Sequence, residues 1–256
     1  EAIFFGKNKF KDKNNIEFIH ANFKDLLFEL NKRNITSVDA SVFDLGVSSH
    51  QLERLDRGFS WKENCLLDMR MNKNNKLNAI EILNKYNIKK LCNIFKVFGE
   101  ERFSKSIANN IVKKREIEKI THSKQLKDII FNTIKGTYQQ KTTSTARIFQ
   151  ALRIEVNQEL AILEKSLTDA ISLLKPGGRI AVISFHSLED RIVKNTFKKH
   201  SQGCICPPKF PKCTCKHKAM LKMINRKPIL ATKSETSANI RSRSAKLRIG
   251  EKLIGK

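Results

Sequence analysis

Apolar residues along this chain fall into segments of distinct period. Ile16 to Ile19 (IEFI) reads as a short strand, and Ala21 to Arg33 as a helix with Phe23, Leu26, Leu27 and Leu30 on one face. Val38 to Leu45 reads as the next strand. A polar block follows, Asp44 to Asn72 (DLGVSSHQLERLDRGFSWKENCLLDMRMN). From Leu77 to about Ser123 the pattern is helical and rich in charge, with Phe103, Ile107 and Ile111 four apart, and Ser123 to Ile134 suggests a further helix. Thr145 to Leu174 is the clearest periodic segment. Ile148, Leu152, Val156, Leu160, Leu163, Leu167, Ile171 and Leu174 predict one amphipathic helix or two abutting ones. Lys175-Pro-Gly-Gly-Arg179 stops it, because Pro cannot continue a helix and Gly suits the positive φ of a cap. Ile180 to Phe185 (IAVISF) is then a strand.

That order predicts an α/β fold with a parallel sheet and an all-helical insertion. The expected division is 1–71 with 144–256 for the α/β part, and 72–143 for the insertion. A strand that ends in Asp-Leu-Gly and runs into a polar loop is where open α/β sheets place ligands. The block after it reads as too polar for core. It is also too dense in Arg, Asp, Phe and Trp for a passive linker.

Composition sharpens the choice of partner. At 256 residues the chain can hold one large domain, or one domain plus an insertion. The formal net charge of +25 sets up a field that attracts polyanions, nucleic acid first among them. Part of this excess is a Lys, Asn and Ile bias spread over the whole sequence, and the remainder points to a binding face. Residues 191–234 hold twelve Lys or Arg and no Asp or Glu, together with Pro207, Pro208, Pro211 and Pro228. They read as a basic, irregular surface arm whose prolines favour a rigid turn. No run of 18 apolar residues exists to span a membrane. Of six cysteines, Cys65 and Cys92 stand alone and four cluster at 204, 206, 213 and 215, unlike a secreted disulfide framework. A cytoplasmic location is expected. The cluster has three readings: a tetrahedral zinc site, free thiols in a loop, or a redox-labile pair. No metal is assigned from the sequence.

The run LLKPGGRIAVISFHS (Leu173 to Ser187) resembles the helix, Gly turn and strand found late in class I S-adenosylmethionine-dependent methyltransferases. Asp44 to Asn72 resembles the signature of the small-subunit (16S) ribosomal RNA cytosine-N4 methyltransferase family, RsmH or MraW. Four more blocks match in order: Gly99 to Arg115, Thr143 to Leu160, Ile183 to Lys194 and Arg241 to Lys252. The resemblance covers nearly the whole chain. It implies a Rossmann-like parallel sheet with an all-helical inserted domain. It also implies methyl transfer from S-adenosylmethionine to the exocyclic N4 of a cytidine in the decoding region of 16S rRNA, with the small ribosomal subunit as partner. Methylation at cytosine carbon 5 typically uses a nucleophilic Cys in a Pro-Cys pair, and the chain has no such dipeptide.

By the same resemblance Phe23, Asp44 and Gln51 match positions that contact S-adenosylmethionine. Asp44 has two readings: acceptor for the methionine amine, or acceptor for the substrate amine. Ser48 and Ser49 are either a turn-forming pair or small acceptors facing the base. His186, just after a strand, either orients a loop or transfers protons. No catalytic residue is assigned. Arg241, Arg243, Lys246 and Arg248 are candidates for phosphate contacts, since Arg offers a planar fork.

The chain departs from the family pattern at His50, where the family has Pro, and at Cys65-Leu66, where it usually has Gly-Pro. The larger departure is at the front. The match begins just past the glycine-rich cofactor loop and the acidic residue that holds the ribose, so an N-terminally incomplete chain is expected. The 256-residue polypeptide should then bind S-adenosylmethionine poorly or not at all, and the rival reading is a truncated RNA-binding relative. Calorimetric titration checks this; micromolar binding would overturn it.

Overall fold

A computed structural model describes residues 2–207, 210 and 212–254. In chain order the elements begin with helices α1 (Ala2–Lys9) and α2 (Leu26–Asn31), then strand β1 (Val38–Asp44). Helices α3 (Ser49–Glu53), α4 (Ala79–Lys85), α5 (Ile88–Val97), α6 (Ser104–Ile117), α7 (Ser123–Thr133), α8 (Tyr138–Asn157) and α9 (Glu159–Leu173) follow. The chain continues through β2 (Leu174–Ser184), α10 (Ser187–Ser201), β3 (Leu221–Met223), β4 (Ile229–Leu230), α11 (Lys233–Ala238) and β5 (Lys246–Lys252). Two compact units result, Glu1–Leu45 with Ala161–Lys256, and Gly46–Leu160.

The first unit is an α/β layer. Its sheet has the order β1-β2-β5-β3, with β4 pairing β5. Among the described residues only β1 and β2 run parallel; β5 lies antiparallel to β2, β3 and β4. The sheet is therefore mixed where a parallel one was expected, because the chain returns through β5 after the short hairpin strands. Phe43, Ile180 and Val182 meet Leu163, Leu167 and Ile171 of α9 and Val193 and Phe197 of α10 in one core. β1 is a border strand with β2 as its neighbour, and Val42 is 71% exposed on it.

Three local expectations change here. Ile16 to Ile19 takes no regular structure and pairs with no strand among the described residues. Alternation alone does not make a strand; a ladder partner must supply the hydrogen bonds. The turn at 175–178 lies inside β2. Leu174 pairs with Val38 and Arg179 with Ala40, so the Pro-Gly-Gly stretch is a bulge in the ladder, with Gly177 at φ +79°. The helix expected over 21–33 is shorter, a 3-10 turn at Phe23–Asp25 leading into α2.

The second unit is helical and has its own core, in which Leu83, Leu91, Phe95, Ile107, Ile111, Leu126, Ile130, Ile148 and Leu152 pack together. It runs from 46 to 160, wider than the 72–143 stretch marked by the sequence, because α8 and the loop before α4 share that core. The long periodic segment is two abutting helices, α8 and α9, divided at Gln158, which takes φ +52°.

Candidate functional site

The Asp44–Asn72 block does two jobs. Its first residues sit at a strand end. Leu45 N–H still donates to Ile183 O at 3.0 Å, so the ladder with β2 holds one residue past Asp44. Gly46 then turns the chain at φ +89°, a conformation open to Gly and strained for other residues. Asp44 is exposed at the carboxyl end of the parallel pair, the edge where such sheets meet ligands. Phe23, 37% exposed, packs its ring edge-on to Phe43 with centroids 6.0 Å apart. The fold thus sets Phe23 beside the residue that precedes Asp44, although 21 positions separate the two candidates in sequence.

Gln51 belongs to the helical unit, so the unit that carries Phe23 and Asp44 does not itself contain it. It is the third residue of a capping box that opens α3. Ser48 Oγ accepts from Gln51 N–H at 3.2 Å, and Gln51 Oε1 accepts from Ser48 N–H at 2.9 Å. Of the Ser pair, Ser48 is therefore a helix cap. The cap engages the carboxamide oxygen of Gln51 and points any ligand contact to its Nε2.

The rest of the block is scaffold, which corrects the reading of it as too polar for core. Phe59, Cys65, Leu67 and Met69 are all buried, and Phe59, Leu67 and Met69 can each contribute roughly 1.5–3 kcal/mol by leaving water. The polar residues between them are spent on the loop itself. Arg57 donates to the carbonyls of Arg70 and Met71 at 2.8 and 3.0 Å. Arg70 grips Asp68 through Nε and Nη2 at 2.8 and 2.7 Å and donates through Nη1 to the carbonyls of Lys73 and Asn75. Burial works to raise the Asp68 carboxyl, and the Arg70 hydrogen bonds outweigh it, holding the group below the usual carboxylate range. Asn157 bridges from α8, accepting from Met71 N–H at 2.7 Å and donating to Met69 O at 2.8 Å. Gly58 is required: at φ +72°, a Cβ there would lie 2.2 Å from Leu66 O.

Other candidates resolve in the same way. His186 is the N-cap of α10, with Nδ1 accepting from Glu189 N–H at 3.4 Å while Glu189 Oε2 accepts from Phe185 N–H at 2.9 Å. As the cap it orients the start of α10. Arg248, expected to reach phosphate, is 6% exposed. It donates through Nε and Nη2 to Asp190 at 2.7 and 3.2 Å and through Nη1 to Arg226 O at 3.1 Å. That corrects its assignment: its fork is already occupied inside the fold. Arg241 and Arg243 stand exposed on a 3-10 turn at Ile240–Ser244. The basic arm keeps its surface character at Lys212, Lys218, Lys222 and Lys227, while Pro208, Lys209 and Pro211 lie outside the described residues. No helix among the described residues is long and apolar enough to cross a membrane.

A mixed α/β sheet, a carboxylate at the end of its parallel pair and a separate helical unit are consistent with a Rossmann-like methyltransferase that carries an added helical region. The sequence profile of the MraW methylase family matches residues 1–253. The chain belongs to that family and is an S-adenosylmethionine-dependent methyltransferase. It is 50% identical over 253 residues to the ribosomal RNA small subunit methyltransferase H of Caldicellulosiruptor saccharolyticus, covering 99% of this chain and 82% of that protein. The proteins of the same name from Halothermothrix orenii and Clostridium botulinum (strain Loch Maree / Type A3) are 46% and 44% identical over 255 and 252 residues. Those matches cover 99% and 98% of this chain, and 82% of each relative.

Proposed function

We propose that this protein methylates the exocyclic N4 of a cytidine in the decoding region of 16S rRNA. The observation that carries the proposal is the 50% identity, over 99% of the chain, to a protein named ribosomal RNA small subunit methyltransferase H. The net charge of +25 supports a polyanionic substrate. The small ribosomal subunit is the proposed partner, and the cytoplasm the proposed location.

In the α/β unit an exposed carboxylate at Asp44 and an exposed ring at Phe23 suit the cofactor, and in the helical unit Gln51 offers a carboxamide. S-adenosylmethionine supplies, when bound, an activated methyl on a cationic sulfonium. Asp44 accepts a hydrogen bond from an amine, either the methionine ammonium or the cytosine N4. On N4 that bond counters delocalisation of the lone pair into the ring and receives the proton the nitrogen sheds as it gains methyl. Phe23 offers an apolar edge for a planar ring, and Gln51 Nε2 donates to an acceptor. Most of the acceleration comes from holding nitrogen, methyl and sulfur in line, so a covalent enzyme intermediate is unnecessary. Within 72–143 the helices are assigned to RNA recognition.

The test supplies the protein, as its gene encodes it, with methyl-labelled S-adenosylmethionine and either naked 16S rRNA or small subunits lacking the modification. N4-methylcytidine in the nucleoside digest is the expected product, with RNA affinity falling steeply as salt rises. Label found only in 5-methylcytidine, or none at all, would refute the assignment.

A further inference from the structure

Four sulfur atoms converge on the surface of the α/β unit, in the segment that joins α10 to β3. Cys204 Sγ lies 3.4 Å from Cys213 Sγ and 3.8 Å from Cys215 Sγ, and Cys213 and Cys215 are 3.6 Å apart. With Cys206 included, all four lie within 4.8 Å of one another. None is cross-linked. Bonded sulfurs stand about 2.05 Å apart, far closer than these. Burial does not gather them either, since Cys204 and Cys213 are exposed and the other two half-buried.

The spacing is that of a coordination shell. A tetrahedron of thiolates around zinc at about 2.3 Å has edges of roughly 3.8 Å. The close pairs already approach this edge length. Cys206 N–H also donates to Cys204 Sγ at 3.4 Å. The segment is tied at its end to α10: His217 Nε2 lies 2.9 Å from Lys199 O, and Met220 N–H donates to His200 O at 2.8 Å.

We propose that Cys204, Cys206, Cys213 and Cys215 bind one zinc ion as four thiolates. Each thiol that is still protonated gives its proton to solvent as its sulfur–metal bond forms. Four protein ligands leave no open position, so the ion is structural and not catalytic. Its work is to brace an arm dense in Lys against the end of α10. The tetrathiolate carries net negative charge, which Lys212, Lys216 and Lys218 in the same segment offset. This inference is independent of the methyl-transfer reading.

The experiment is metal analysis of the whole chain, purified under reducing conditions, then loaded with zinc and freed of unbound metal. The expected content is about one equivalent of zinc, falling below about a tenth of an equivalent in the Cys204→Ser/Cys213→Ser double variant. Cobalt loaded in its place should give the strong visible absorption of a tetrahedral thiolate complex, which decides the matter on the unaltered chain should the variant fail to fold. Zinc below about a tenth of an equivalent in the unaltered chain, an equivalent of iron instead, or full zinc retention by a folded double variant would overturn the proposal.

Discussion

Replacing Asp44 by Asn should lower methyl transfer roughly 100-fold, because losing a hydrogen bond to a charged group costs about 2–3 kcal/mol. The fold should not register the change. Asp44 is exposed at the last position of β1 and its backbone pairing with Ile183 is unaffected by the side chain. An exposed substitution of this kind is expected to shift unfolding by less than about 0.5 kcal/mol. The kinetic split separates the two roles open to the carboxylate. If it holds the methionine amine, KM for S-adenosylmethionine rises most. If it accepts from the cytosine amine, kcat falls at saturating cofactor. An activity within about twofold of the unaltered protein would remove Asp44 from the site.

Arg248→Ala should destabilise the α/β unit by about 3 kcal/mol, measured from the urea midpoint of its unfolding. The magnitude comes from what is left behind. Asp190 has only 14% of its side chain exposed and would lose both partners from the guanidinium fork, leaving Lys246 at 3.7 Å. Arg226 O would also lose a donor. Arg248→Lys keeps the charge without the fork and should fall between. Burial of Asp190 acts to raise its carboxyl, but the Arg248 hydrogen bonds, with Lys246 behind them, hold it below the usual range. Its folded value is thus depressed relative to the unfolded chain, near 3.9. The pair's stabilisation is complete above that unfolded value and disappears as pH falls through the folded one. The gap between Arg248→Ala and the unaltered protein should therefore be widest at neutral pH and narrow in acid. A loss below about 1 kcal/mol would place the pair with ordinary surface ion pairs.

These two residues show what a sequence reveals and what it conceals. The strand-end position of Asp44 was legible because an apolar run closing on Asp-Leu-Gly announces itself locally. Arg248 was not, since its partner lies 58 positions away and an Arg in a basic tail looks like any other solvated charge. The helices α4 to α9 were legible through their 3.6-residue periodicity, which needs no knowledge of neighbours. Ile16 to Ile19 misled because two-residue alternation describes a strand only when another strand is there to pair with it. In the Asp44–Asn72 loop, counting charges hid the outcome. Arg57, Arg70 and Asp68 turn inward to their own backbone, and that frees Phe59, Leu67 and Met69 to be core. The joint role of Ser48 and Gln51 was readable in principle, as a Ser followed three residues later by Gln at a helix start.

The border position of β1 has a practical side. Its far edge presents amide and carbonyl groups that pair with no strand among the described residues, beside an exposed Val42. Such an edge is a template onto which another extended chain can add. Any extended segment that adds there, from the same polypeptide or another, continues the sheet and covers Val42.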